Sequence, residues 1–351
     1  FKTNCLRTML AARICVAQLA RLSLCRHLAI QSVAIPISLV KDLREKTGAS
    51  VSECKKALES SNGSIDEAFA WLRKKGLAAA SKKSGRVAAE GLVGVAISED
   101  RKSAAIVEVN SETDFVSRNE SFQKFVSRAA TFVLKQNGSV TTAAITGDLA
   151  GVNLDETKKE VEGELVSLVA TIGENIQVRR GGKVHGDLVG CYVHSGIYPN
   201  TGRIGAIVGL SCSSEVSPDT ILQTSFANQL AMHIVAASPL YLSRKTIPED
   251  VIENEKAVAR DQARDNSTKN KPESVIAKMV EGRLMKFMQE NVLLEQKYLI
   301  DAENDAKTVG QVLGKMNVQV TGFVKFQCGE GIEKASANLA KDVAELASSF
   351  A

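Results

Sequence analysis

The sequence predicts an α+β protein: a compact helical module, then a core of two related units that each combine an antiparallel sheet with a helix. A helical hairpin interrupts the second unit and a helix closes the chain. Three observations carry this reading. Residues 38–76 show only helical spacing, residues 91–133 and 187–235 repeat one hairpin-then-helix pattern, and residues 248–298 form a polar interruption with its own apolar stripe.

The first segment stands apart in composition. Residues 1–36 hold Lys2, Arg7, Arg13, Arg21 and Arg26 but no acid, and the first carboxylate is Asp42. Such a basic, apolar leader has the character of an organelle presequence, mitochondrial first and plastid, usually richer in Ser, second. Its apolar runs are too short and too charged to span a membrane. Phe1 leaves room for a natural start further upstream. The whole chain carries +4, but residues 37–351 hold 39 basic against 40 acidic groups, a net charge of −1. A near-neutral body offers little counterion-release attraction, so no direct nucleic-acid partner is expected. The seven cysteines (Cys5, Cys15, Cys25, Cys54, Cys191, Cys212, Cys328) form no Cys-x-x-Cys pair, which gives neither a disulfide framework nor a zinc site.

Residues 37–76 read as three short helices. Ser50-Val51-Ser52-Glu53 and Ser64-Ile65-Asp66-Glu67 each match a capping box, in which Ser and Glu satisfy orphan amide donors at a helix start. Thr47-Gly48 and Lys75-Gly76 supply stops, and Asn62-Gly63 supplies a turn. Val51, Cys54, Ala57 and Leu58, then Ile65, Ala68, Phe69 and Leu72, recur at helical spacing, enough for one small core. A short linker, helical at first, covers residues 77–90.

Beyond it the chain repeats itself. Gly91-Leu92-Val93-Gly94-Val95-Ala96 and the run Ala104 to Val109 resemble Asp187-Leu188-Val189-Gly190-Cys191-Tyr192-Val193 and the run Ile204 to Leu210, so both pairs predict hairpins. Each is followed by a helix, lined by Phe122, Phe125, Val126, Ala129, Phe132 and Val133 in one case and by Ala227, Leu230, Ala231, Ile234 and Val235 in the other. Third strands are available from residues 175–179 and 318–326. The expected subdomains are residues 91–186, and 187–247 with 299–336.

Thr113-Asp114-Phe115-Val116 follows the second strand of the first unit. One reading makes Asp114 the cap of the next helix and Phe115 part of the local core. The other makes the acid-aromatic pair a working site, since loops on a rigid scaffold carry function. The repeat favours the second reading: the corresponding Ser211-Cys212-Ser213-Ser214-Glu215-Val216 has no such pair, although both units build the same hairpin and helix.

Residues 248–298 predict two antiparallel helices around the turn Asn266 to Lys271. Pro272 suits the first position of the returning helix, and Val275, Ile276, Met279, Val280, Leu284 and Phe287 form its stripe. Residues 337–351 predict a C-terminal helix. Phosphate-binding, dinucleotide, metalloprotease and nucleophile-elbow patterns are all absent from the sequence, which speaks against an enzyme and against a cofactor. His185, His194 and His233 are too dispersed for a metal site and are each expected to be a surface or partly packed residue, and Arg179-Arg180 is expected to be solvated charge.

Taken together, Leu39 to Ala49, Cys54-Lys55-Lys56-Ala57-Leu58, Glu108-Val109-Asn110 with Thr113 to Val116, Ile172 to Ile176, Lys278 to Arg283 and Gly329 to Lys334 closely resemble the translation elongation factor Ts family. That resemblance implies a ubiquitin-associated-like N-terminal module, a two-subdomain core and a coiled-coil insertion. It implies guanine nucleotide exchange on elongation factor Tu, in a 1:1 heterodimer or a dimer of heterodimers, without covalent chemistry and without a membrane. Thr113, Asp114, Phe115 and Val116 match the loop that enters the partner near its magnesium and phosphates. Ile172 and Gly173 match residues beside that loop, Arg44 and Val51 match contacts of the N-terminal module, and His194 matches a core histidine that touches another partner domain. Three departures stand out: Val51-Ser52 replaces a bulkier apolar pair, the turn from His194 to Arg203 is longer than in bacterial-type members, and Lys297-Tyr298 stands where Pro-Phe is common. A ubiquitin- or peptide-binding adaptor would use only the N-terminal module and leave the doubled core and the Asp114-Phe115 loop without a purpose.

Overall fold

The structure, a computed structural model, describes residues 35–136, 154–196, 198–213, 225–265, 272–300 and 307–333. The expected presequence up to residue 34, the hairpin tip at 266–271, residues 214–216 and the C-terminal helix lie outside the described residues. The chain divides into two compact units after Lys74.

In the first unit, α1 (Ile37–Thr47) ends on left-handed Gly48, φ 67°, whose N–H bonds back to the Arg44 carbonyl, as Thr47-Gly48 predicts. α2 (Val51–Ser60) starts where the Ser50 hydroxyl accepts the Glu53 N–H at 3.3 Å. Leu43, Cys54, Ala57, Leu58 and Ala68 fill the core, with Trp71 and Leu72 packed against it. Val51 and Phe69, expected in that core, are instead exposed by 53% and 46%. Both sit at the edge of their helical stripes, whereas Trp71 packs against the core.

The expected stop at Lys75-Gly76 is absent: α3 runs unbroken from Ile65 to Lys83. Gly76 is a contact rather than an ending. A Cβ there would stand 2.8 Å from Val166 Cγ1, so the missing side chain lets α3 approach α5 (Leu154–Ile172) closely. The Ala-rich run that follows favours helix strongly enough to carry it past a single glycine.

The second unit contains two antiparallel sheets. The first has the order β3 (Ile176–His185), β2 (Ser103–Ser111), β1 (Glu90–Ile97), β5 (Thr201–Gly202); the second has β4 (Leu188–His194), β6 (Ile204–Cys212), β7 (Val318–Gln327). Val93, Val95, Ala104, Ile106 and Val184 of one sheet form a single cluster with Val189, Ile207, Val324 and Phe326 of the other. The opposite face of the first sheet packs on α5 and on α4 (Glu120–Lys135). That of the second packs on α6 (Phe226–Ala237) and α9 (Val309–Lys315). The order is helix, sheet, sheet, helix, which explains why both faces of β2 are apolar.

The repeated Leu-Val-Gly of the two hairpins has a steric cause. A Cβ on Gly94 would meet Val126 of α4 at 2.7 Å, and one on Gly190 would meet the Ala227 carbonyl oxygen of α6 at 2.2 Å. Each helix crosses its sheet at that glycine. Both third strands also carry the same irregularity, which leaves one extra residue, Arg179 in β3 and Thr321 in β7.

The bulge brings consecutive side chains Arg179 and Arg180 to one carboxylate, fully buried Glu108, at 3.0 and 2.5 Å. Glu108 also accepts the Gly329 N–H at 2.8 Å, and the Arg180 guanidinium lies 4.4 Å from the centre of the Phe326 ring. The pair expected as solvated charge is therefore a structural ion cluster between the sheets. The long turn after His194 also has a function in the fold: β5 pairs with β1, Val93 opposite Gly202 and Gly94 opposite Thr201.

The inserted hairpin consists of α7 (Glu249–Asp265) and α8 (Glu273–Asn291). Pro272 is the N-cap of α8 rather than its first helical residue. Ile276 and Val280 pack on Ala259 and Ala263. Leu284 and Phe287 pack near Val292, whereas Val275 and Met279 of the expected stripe are exposed. After the hairpin, Tyr298 is buried between Phe226 and His233, ring centres 6.0 and 5.7 Å away. His233, expected to be a surface or partly packed residue, is fully buried.

Candidate functional site

β2 delivers the chain to Ser111, whose hydroxyl donates to the Thr113 carbonyl at 2.9 Å. Val116 starts a 3-10 turn, Val116–Arg118, and is buried in the core under the first sheet. The Ser117 hydroxyl donates to the Asp114 carbonyl at 2.5 Å, and Gln123 Nε2 donates to the Ser117 carbonyl at 2.9 Å. The cap of α4 is Asn119, whose Oδ1 accepts the N–H groups of Ser121 and Phe122 at 2.9 and 3.3 Å. Asp114 is thus not the cap, and Phe115 is not core: 75% of it is exposed. The Asp114 carboxylate is exposed as well and has no hydrogen-bond partner among the described residues.

The loop meets the turn after α5. Gly173, φ +88°, donates its N–H to the Val169 carbonyl and ends that helix in the left-handed conformation. Ile172 is half-buried against the helix-facing core and Gly173 is exposed. Glu174 then reaches Thr113, accepting its N–H at 2.9 Å and its hydroxyl at 2.6 Å. Glu112 reaches back and accepts the Asn175 N–H at 2.6 Å. Thr113 is therefore bonded to Glu174, the residue that follows the Ile172-Gly173 turn, across a separation of 61 residues. Glu112 and Glu174 went unmarked in the sequence as site residues, because nothing in local spacing says which donor a carboxylate will find.

The other candidates lie elsewhere. Arg44 and Val51 are exposed in the first compact unit. His194 is exposed at the end of β4, where its Nδ1 lies 3.2 Å from the Tyr192 hydroxyl. Among the described residues no group of three or more His, Cys, Asp or Glu could hold a metal ion, and no helix is long and apolar enough to cross a membrane.

The braced loop thus presents an exposed aromatic ring beside a carboxylate that has no hydrogen-bond partner among the described residues. The model of the family described as Elongation factor TS matches residues 112–330. The Elongation factor Ts of Rhodospirillum centenum is 45% identical over 318 residues, covering 89% of this chain and 99% of that protein. That of Gluconobacter oxydans is 43% identical over 317 residues (89% and 98%), and that of Paramagnetospirillum magneticum 44% over 318 (88% and 96%). The chain belongs to the elongation factor Ts family.

Proposed function

We propose that this chain is a guanine nucleotide exchange factor for elongation factor Tu and that the Thr113–Val116 loop is its working element. The observation that carries the reading is the exposure of Phe115 between two fixed points, the bonded Thr113 and the buried Val116. A ring held out from a braced loop loses little freedom on docking, so most of its burial energy is available to stabilise a displaced arrangement of the partner. The adjacent Asp114 carboxylate competes for donors around the partner's magnesium and phosphates, or for the magnesium's coordinated water. No bond is made or broken. By linkage, a factor that weakens nucleotide binding is itself weakened by nucleotide to the same degree. Arg44, Val51, Ile172, Gly173 and His194 supply further contacts from exposed or half-exposed positions, in a 1:1 heterodimer or a dimer of heterodimers. The acid-free residues 1–36 direct the chain to the mitochondrial matrix, with a plastid as the alternative.

The test is release of fluorescent GDP from elongation factor Tu with and without the chain. Release at the unassisted rate under saturating, folded factor overturns the proposal.

A further inference from the structure

The working loop is held by groups outside itself, in a reciprocal pattern. Glu174 accepts two donors from one residue, the Thr113 N–H and hydroxyl, at 2.9 and 2.6 Å. Glu112, the residue before Thr113, accepts the N–H of Asn175, the residue after Glu174, at 2.6 Å. Asn175 is nearly fully buried and donates its side-chain amide to the Arg86 carbonyl at 2.8 Å. The Arg86 guanidinium stands 3.5 Å from Glu112. Each of the two segments thus lends a carboxylate to the backbone of the other, and the chain ahead of β1 fastens the pair.

The clamp ends where the free side chains begin. Thr113 is fixed at its amide and hydroxyl, Val116 is buried, and only Asp114 and Phe115 lie between them with exposed side chains. We propose that Glu174 is a positioning residue for exchange: without touching the partner, it holds Thr113 so that Phe115 is presented before the partner arrives. This rests on the exchange reading above. Without the clamp the ordering of Thr113 falls on the docking step, and fixing one residue's backbone is worth about a tenfold factor. Charge-assisted bonds suit the task, since a carboxylate can take both Thr113 donors at once, whereas an amide offers one acceptor oxygen.

The test is a double-mutant cycle in the full chain, with deuterium exchange on the free protein. Glu174→Ala is expected to lower the efficiency of GDP release from elongation factor Tu about tenfold with Phe115 present, and by less than about twofold in the Phe115→Ala background. In the free protein, amide exchange in a peptide spanning residues 109–118 should quicken in Glu174→Ala, while peptides from α4 stay protected. Glu174→Gln, which keeps the shape and one acceptor, should fall between wild type and Glu174→Ala in both measurements; it carries the test if the alanine variant does not fold. Equal losses in both Phe115 backgrounds would assign Glu174 a direct contact or a general stabilising effect and overturn the proposal, as would unchanged exchange of the loop amides. If Phe115→Ala alone leaves GDP release untouched, the exchange role of the loop has failed instead, and the deuterium result still decides whether the clamp holds Thr113.

Discussion

Phe115→Ala separates an interface anchor from a core residue. A phenylalanine side chain offers roughly 200 Å² for burial. With 75% of Phe115 exposed, about 150 Å² is left for a partner to cover, or ~3–4 kcal/mol at about 25 cal/mol per Å² before ordering costs. Alanine keeps part of that area, so the substitution should cost about 2 kcal/mol of coupling, on the order of thirtyfold in exchange efficiency. Stability should barely move, since truncating an exposed side chain falls within about 0.5 kcal/mol. The assay is fluorescent GDP release from elongation factor Tu as a function of factor concentration, with a thermal melt on the same sample. Phe125→Ala provides the contrast: Phe125 is fully buried in the core beneath the first sheet, and its loss should cost about 3–5 kcal/mol of stability. A lowered melting temperature with near-normal exchange in Phe115→Ala would refute the reasoning. Asp114→Ala should weaken exchange in the same direction without lowering the melting temperature, because its carboxylate bonds to nothing among the described residues.

Gly190→Ala should destabilise by about 1–3 kcal/mol or more, since its Cβ would lie 2.2 Å from the Ala227 carbonyl oxygen and backbone cannot step aside; a lower urea midpoint checks it. Gly163→Ala on α5, with nothing within 4 Å of the added carbon, should instead be neutral or gain up to ~1 kcal/mol. His233 is held neutral by burial, its pKa lowered below 6.5, with Nδ1 accepting the Leu299 N–H and Nε2 against Gln296 Oε1. The unfolded chain therefore takes up a proton that the folded chain refuses as pH falls below about 6.5, and stability drops by up to about 1.4 kcal/mol per pH unit from this group until the lowered pKa is reached. Melting temperatures of wild type and His233→Gln between pH 7.5 and 5.5 should converge toward acid. Removing residues 1–36 should leave GDP release unchanged and abolish uptake by isolated mitochondria; efficient import of the shortened chain would refute the presequence reading.

Several elements were legible because their cause is local. Thr47-Gly48 needs only a left-handed residue after a helical stripe, and Ser50 only a donor three residues on. The doubled hairpin-helix pattern was legible because strands and helices repeat with fixed periods, and the repeat itself pointed to Asp114-Phe115 as a pair the fold does not require. Family membership was legible for the same reason, being a string of short motifs in order.

What the tertiary structure decided was the choice among distant partners. Gly76 reads locally as a stop, yet the close packing of Val166 and Ala170 of α5 makes it a point of approach along a continuous helix. Arg179-Arg180 reads as solvated charge, yet a bulge turns both side chains to one buried carboxylate. The turn after His194 reads as a long connection, yet its end pairs with β1 of the other sheet. Glu112 and Glu174 read as ordinary acids, yet each finds its donor in a segment about sixty residues away. Periodicity reveals which face of an element is apolar, because that depends on neighbours three or four residues along. It carries no record of which backbone amide a side chain will meet once remote segments are packed together, and the position of Phe115 is set by those meetings.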